Sequence, residues 1–380
     1  MHRIAARLVK LLALAICLLA PGAAHAFSGE QVVTAAGFPA MTKFIAGDPQ
    51  QPLVVFIPGA HHTARIAYGG HPGGRDEDFL AHWLVKEGYN FLGVSYPIAT
   101  RNPVIADAYP AFNARDWGQQ AAELAKRTID EHHLTNRIIV IGWSMGGRIA
   151  EPITEAATAA GLDVAFFVSF SATPGVTGLV SMKANFPMTA SGYADRSNIY
   201  PAFLKQLAAE NALNGGRVII DEESYRNDYV GDMPVSLEGY GLHYRDGQFV
   251  RDFWADEEDF RVHDYGKLPY IAMFMPNHPL DARHALTDRG NWGLLMVNKI
   301  SEDLAAAKVD LNAMPRDRWL ALVDLVRGAP DRLSVEITGD HFFFVGEMGA
   351  RQTATALKTM DARMAGFKGE LKALTAAQAK

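Results

Sequence analysis

The chain has 380 residues, 49% of them apolar, a formal net charge of −6 and one cysteine. The apolar fraction is that of a globular protein with ample core material, and the length fits one large domain with an insertion, or two domains. A mildly acidic chain has no electrostatic footprint for nucleic acid or anionic lipid, and one cysteine excludes an internal disulfide framework.

Residues 1–26 read as an export leader. Arg3, Arg7 and Lys10 precede the apolar run Leu11–Ala20, which is too short to span a bilayer. Ala24-His25-Ala26 has the small-x-small form of a cleavage site. The mature chain is therefore expected to begin at Phe27, to have no transmembrane span, and to reside in the periplasm or outside the cell; an uncleaved anchor is the alternative. Ile16 is not the small residue that a lipoprotein signal requires before Cys17. Cleavage removes three basic residues, which takes the net charge from −6 to −9, and removes Cys17, which excludes a catalytic cysteine.

Residues 31–46 read as short strands around a turn at Gly37-Phe38-Pro39. The continuous apolar run Leu53-Val54-Val55-Phe56-Ile57 fits a strand buried on both faces, as in a parallel sheet. Phe79 to Lys86 is an amphipathic helix closed by Gly88, and Asn90 to Tyr96 is the next strand, stopped by Pro97. From Asp116, the expected N-cap, Trp117, Ala121, Leu124 and Ile129 recur at helical spacing. Arg137 to Ile141 is a strand, the segment after Gly147 is helical, and Val164 to Phe170 is a strand again. This alternation predicts an α/β fold with a mainly parallel sheet and helices on both faces.

The alternation breaks at Pro174 and resumes with the strand Leu268–Met275. Residues 174–266 hold thirteen aromatic, fifteen acidic and eight basic side chains in 93 positions. An aromatic, acidic insertion between the sixth and seventh core strands reads as a cap, with 27–173 and 267–380 as the core; a surface subdomain with its own small core is the alternative. Helical patterns return from Ser301 to Arg327, Leu333–Ile337 is a strand with one more exposed face, and Ala350 to about Leu374 is a final helix.

The chemistry centres on Gly142-Trp143-Ser144-Met145-Gly146. A buried strand before a G-x-S-x-G run and a helix after it make a nucleophile elbow, in which the serine sits on a strained turn and its neighbours must be small. A serine hydroxyl is a weak nucleophile at neutral pH and needs a base, which in turn needs an orienting carboxylate. His341, in Thr338-Gly339-Asp340-His341-Phe342, follows the last strand, where an open parallel sheet gathers its ligand-handling groups. Asp281 is the first carboxylate in the loop after Met275; Asp288 is the fallback, and Asp264 lies on the wrong side of the strand. The oxyanion donors are expected to be the backbone N–H of Met145 and, from the loop after Ile57, that of Ala60.

Competing readings are weaker. His61, His62 and His71 lack further ligands at an ordered spacing for a metal and are expected to line the site entrance. Asp221-Glu222-Glu223 and Asp256-Glu257-Glu258-Asp259 could hold calcium, but a solvated acidic face is the simpler account. Gly69-Gly70-His71-Pro72-Gly73-Gly74 lacks the lysine of a phosphate loop and reads as a flexible loop at the site mouth.

These motifs together resemble the α/β-hydrolase superfamily, in particular its serine esterases and lipases. Pro58-Gly59-Ala60, the Ser144 elbow, Asp281 and Gly339-Asp340-His341 match its oxyanion loop, nucleophile, acid and base, in its chain order. The resemblance covers about residues 30–173 and 267–375. Pro58 stands where the family often has histidine, and the sixty residues between Asp281 and His341 imply an extra helical excursion. It implies hydrolysis of a small carboxylic ester through an acyl-enzyme, with no cofactor and no metal. A serine aminopeptidase or amidase, with an acidic cap attracting a free amine, and an acyltransferase keep the same serine chemistry; a catalytically silent binding protein does not. Substrate and oligomeric state are not legible.

Overall fold

Eight strands form the central sheet of the computed structural model, which describes residues 25–376. The basic residues, apolar run and Cys17 of the expected leader lie outside the described residues. The strands are β1 (Glu30–Ala35), β2 (Phe38–Ile45), β3 (Leu53–Ile57), β4 (Asn90–Ser95), β5 (Arg137–Trp143), β6 (Asp163–Phe170), β7 (Ile271–Pro276) and β8 (Ser334–Ile337). Their spatial order is β1-β2-β4-β3-β5-β6-β7-β8. The pairs β1–β2 and β2–β4 are antiparallel, and every other neighbour is parallel. This is the strand order of the α/β-hydrolase fold.

Sequence explains each layer. All five residues of β3 are buried, as both faces of a parallel sheet require. Burying an aliphatic or phenyl side chain is worth about 1.5–3 kcal/mol, so such runs take the centre of the sheet. β8, at the edge, keeps Ser334, Val335 and Glu336 partly accessible. The β1–β2 turn falls on Ala36-Gly37, both at positive φ (49° and 83°), rather than on Gly37-Phe38-Pro39. Two central residues at positive φ match the twist of a tight hairpin.

Helix α1 (Leu80–Lys86) links β3 to β4, and α2 (Ala114–His132) links β4 to β5. These two crossovers run in opposite directions from the sheet centre, so right-handedness puts their helices on opposite faces. The α2 N-cap is Asn113, not Asp116: Asn113 accepts from Asp116 N–H at 2.9 Å and Asp116 accepts from Asn113 N–H at 3.2 Å. Asp116 occupies the third position of this reciprocal box. Helix α3 (Ala150–Ala159) crosses α2 at Gly118, where a Cβ would lie 2.6 Å from Pro152.

Between β6 and β7 lie α4 (Tyr200–Leu213), the short helix Phe253–Phe260 and the hairpin Leu242–Arg245 with Gln248–Arg251. Part of this segment packs its own cluster of Ala194, Val235 and Leu242, while Leu207, Tyr225, Tyr229 and Leu237 join the main core. Backbone bonds tie it to the loop after β3: Thr63 N–H donates to Tyr229 O at 2.9 Å, and Gly231 N–H to His61 O at 3.0 Å. After β7 come α5 (Ala282–Ala306), which starts well before Ser301, α6 (Arg316–Arg327) and, beyond β8, α7 (Glu347–Thr375). No helix among the described residues is long and apolar enough to cross a membrane.

Candidate active site

The order reversal around β3 leaves a crevice beyond the carboxyl ends of β3 and β5, where open α/β sheets place their ligands. Ser144 directly follows β5 there, at φ 54°. That left-handed backbone is costly for a residue with a Cβ. Thr173 N–H, donating to Ser144 O at 3.1 Å, helps hold it. The flanking glycines have specific reasons. A Cβ at Gly146 would lie 2.8 Å from Ile57 O, one at Gly147 2.7 Å from Thr173 O, and one at Gly142 would strike the Phe167 ring. A Cβ at Gly59 would lie 2.8 Å from Ser144 Cβ, so only glycine lets the loop after β3 approach the serine this closely.

Asp281 ends a single turn, Pro279–Asp281, between β7 and α5. Its N–H donates to His278 O at 3.0 Å, and Gln206 of α4 donates to Leu280 O at 3.1 Å. Asp281 is buried, at 8% exposed, and the neighbouring Arg283 bonds Thr173 Oγ1 and Leu179 O. His341, in the loop after β8, places Nδ1 2.8 Å from Asp281 Oδ2. The carboxylate can only accept, so Nδ1 carries the proton and Nε2 is left with a free lone pair. Burial lowers the proton affinity of His341, but the Asp281 charge and hydrogen bond outweigh it and the net pKa lies above its ordinary value. Burial likewise raises Asp281, and His341 overcomes this to bring it below the usual carboxylate value. The Trp143 indole N–H donates to His341 O at 2.9 Å. Ser144 and His341 line one cavity, and no hydrogen bond joins Ser144 Oγ to the imidazole. Such contacts are often loose before substrate arrives.

Asp288, the fallback acid, serves a different histidine. His284 Nδ1 lies 2.9 Å from Asp288 Oδ1, one turn along α5, and the His284 ring lies 5.3 Å from that of His341. The sequence carries the signal for this second pair, because His and Asp four apart on a helix face each other. Burial pushes the Asp288 carboxyl up despite the His284 charge.

The loop after β3 is braced from the segment between β6 and β7. His62 Nδ1 lies 2.8 Å from Ala60 O and Nε2 lies 2.8 Å from Tyr225 Oη. A carbonyl accepts only, so Nδ1–H donates to Ala60 and the tyrosine hydroxyl donates to Nε2. Burial takes the His62 pKa down to about 3, which keeps the ring neutral. His61 bridges Gly231 O at 2.9 Å and Glu238 Oε1 at 3.0 Å, and His71 bonds Tyr229 Oη. All three histidines are buried structural ties and do not line the entrance. Gly69 and Gly70 border a different surface depression, beside Phe27 and Lys43.

The acidic runs also divide. Asp256 is buried and accepts from Gly241 N–H at 2.6 Å, with His243 Nε2 at 3.0 Å, while Glu258 is exposed. Among the described residues, the one triplet spaced for a metal is Asp281, His284 and His341, within 4.8 Å of one another. Hydrogen bonds already occupy both Nδ1 atoms and Asp281 Oδ2.

Next to the histidine, Asp340 N–H donates to Glu210 Oε1 of α4 at 2.7 Å. Both side chains are fully buried, and Glu210 Oε2 and Asp340 Oδ2 have no donor. Two buried carboxyls side by side favour a protonated acid at one of them. Burial and the Asp340 charge raise Glu210 to about 8.

The cavity has a volume of about 230 Å³ and includes Ala60, Ser144, Met145, Arg148, Arg283 and His341 in its lining. It brings together all the sequence-named candidates: Ser144, His341, Asp281, Met145 and Ala60.

No family model and no curated protein matches the chain. Solved structures similar to it include a soluble variant of monoglyceride lipase from Saccharomyces cerevisiae, 10% identical over 88% of this chain and 94% of that one, with a TM-score of 0.43. An N-formylmaleamic acid deformylase from Pseudomonas putida is 13% identical over 86% of this chain and 99% of its own, with a TM-score of 0.40. A hypothetical protein from Pseudomonas aeruginosa is 13% identical over 88% of this chain and 99% of its own, with a TM-score of 0.41. These likenesses are too distant to decide a reaction, and the fold stands on its strand order and connections.

Proposed function

We propose that this chain of α/β-hydrolase fold is a serine hydrolase that cleaves a small carboxylic ester through an acyl-enzyme. The observation that carries the reading is the His341–Asp281 pair, 2.8 Å apart, lining the cavity that also holds Ser144 at φ 54°. His341 Nε2 takes the proton of Ser144 Oγ as that oxygen attacks the ester carbonyl. The N–H groups of Met145 and Ala60 receive the oxyanion, and His341 then gives the proton to the leaving alcohol. Water, deprotonated by His341, attacks the acyl-enzyme and releases the acid and Ser144. The segment 174–266 acts as the cap: α4 reaches Asp340 and Leu280, and Tyr225 reaches the loop of Ala60 through His62.

Turnover of a p-nitrophenyl ester and labelling by a fluorophosphonate probe test this reading. Ser144→Ala should abolish labelling and reduce turnover by about 10⁶; wild-type-like activity in that variant would sink it. The aminopeptidase alternative loses its rationale, because the cavity presents Arg148, Arg196 and Arg283 rather than free carboxylates to a substrate amine. The chain is also proposed to be exported after cleavage before Phe27. N-terminal sequencing of the protein from a periplasmic or culture fraction tests that step.

A further inference from the structure

The cavity beside Ser144 has an unusual charge balance. Arg148 lies one turn beyond the serine and is 5% exposed. Its guanidinium donates to Leu237 O at 3.1 Å, and among the described residues no carboxylate lies within ion-pair distance of it. Burial lowers its pKa against the pull of Glu238. Arg283, at the rim, donates to two neutral acceptors, Thr173 Oγ1 at 3.0 Å and Leu179 O at 3.1 Å. The two carboxylates that line the cavity are both engaged. Glu238 pairs with Arg196 at 2.7 Å and with His61 at 3.0 Å, and Asp281 with His341. Arg196 is therefore spoken for, while Arg148 and Arg283 carry positive charge with no counter-ion of their own.

This is the reverse of the rest of the molecule, which is acidic overall. A buried, uncompensated guanidinium is costly, and such groups are kept where a partner supplies the opposite charge. A guanidinium also offers a planar fork of donors that matches a carboxylate.

We propose that the ester cleaved at Ser144 carries a carboxylate, as in a monoester of a short dicarboxylic acid, and that Arg148 and Arg283 hold it. The inference rests on the ester-hydrolase reading for its reaction but not for its binding site. The volume of about 230 Å³ limits the substrate to a small one. Nucleophilic attack and acyl transfer are unchanged; the anion sets which ester is placed at the serine.

The test compares the mono-p-nitrophenyl ester of adipic acid with p-nitrophenyl hexanoate, which has the same chain length without the charge. Wild type should favour the anionic ester by about tenfold to a hundredfold in kcat/KM, the range of a hydrogen bond to a charged group. Arg148→Met and Arg283→Met should each reduce that ratio severalfold or more. Arg283 is exposed, so its replacement keeps the test open if the Arg148 variant fails to fold. In Ser144→Ala, adipate should raise the melting temperature in a salt-sensitive way, and Arg283→Met in that background should remove the rise. Labelling and hexanoate turnover without an anionic preference would overturn the carboxylate site and leave the serine chemistry standing. Arginine-dependent adipate binding with no labelling and no ester turnover would support the site and overturn the ester reading. Absence of adipate binding would overturn the site.

Discussion

The Trp143 indole N–H donates to the carbonyl oxygen of His341 at 2.9 Å, across 198 residues of sequence. The residue before the serine thus fixes the backbone of the residue expected to activate that serine. The Trp143 ring also lies 4.7 Å from His62 and 5.1 Å from His341, so one side chain touches both the histidine after β8 and the histidine that braces the loop after β3. Trp143→Phe keeps an aromatic ring but removes the donor. It should lower kcat about threefold to tenfold with KM little changed, since a lost neutral hydrogen bond is worth about 0.5–1.5 kcal/mol. Steady-state kinetics beside a thermal melt checks this; an unchanged kcat would show that the bond does not position His341.

Asp281→Asn should reduce kcat by about 10⁴, because the imidazole loses both its enforced tautomer and its compensating charge. Asp288→Asn, which touches His284 instead, should cost less than tenfold. The pH profile adds a second readout. Chemistry needs neutral His341, whose pKa is raised, so wild-type kcat/KM should fall on the acid side with a midpoint above 6.5. Removing the Asp281 charge should move that midpoint down. Equal losses in the two variants would contradict the assignment of Asp281.

Tyr225→Phe removes the hydroxyl that donates to His62 Nε2. The imidazole then loses one of its two anchors and no longer fixes the Ala60 peptide firmly. We expect kcat to drop several-fold while KM changes little, with a stability loss of about 1–3 kcal/mol from the buried nitrogen left without a donor. Intact kcat in this variant would separate the tyrosine from the proposed oxyanion donor at Ala60.

The Glu210–Asp340 pair makes stability depend on pH in a defined direction. Glu210 titrates at about 8 in the folded chain against 4.5 when unfolded, so the folded state holds the extra proton between these values. The stabilisation is complete below pH 4.5 and is lost as pH rises through about 8. Wild-type urea midpoints should decline over this window, and those of Glu210→Gln should decline less. Parallel curves for the two proteins would rule out a proton held at Glu210.

Cleavage before Phe27 would leave a new α-amine at a prepared position. Phe27 N lies 2.6 Å from Glu30 Oε2, and Glu30 also holds Arg65 at 2.7 Å and Tyr68 at 2.6 Å. On the proposed export, the mature protein should begin at Phe27, and Glu30→Gln should lower its melting temperature. A mature start elsewhere, found by N-terminal sequencing, would remove this anchor.

Much of the architecture was legible because its signals are local. Uninterrupted apolar runs placed β3, β5, β6 and β7, and glycine spacing around Ser144 placed the elbow, since neighbouring residues alone decide whether a strand can turn that tightly. The strand ends also pointed to His341 and Asp281. The α2 cap is ambiguous in sequence because Asn113 and Asp116 are both good cap residues, and only the backbone path makes Asn113 the cap.

What the tertiary structure decided are relationships between residues far apart in the chain. Sequence left Asp281 and Asp288 open, because both follow β7; the geometry gives Asp281 to His341 and Asp288 to His284. Sequence places His61, His62 and His71 at the site entrance, and only burial and their partners identify them as braces. The acidic count of residues 174–266 points to an acidic site, yet Glu238 is ion-paired with Arg196 and hydrogen-bonded to His61, so Arg148 and Arg283 set the charge beside Ser144. Composition counts charges, whereas a site's potential depends on which charges are already paired. The sequence by itself determined the sheet and the tight turn at Ser144, and only the folded chain determined which ions are left unpaired around it.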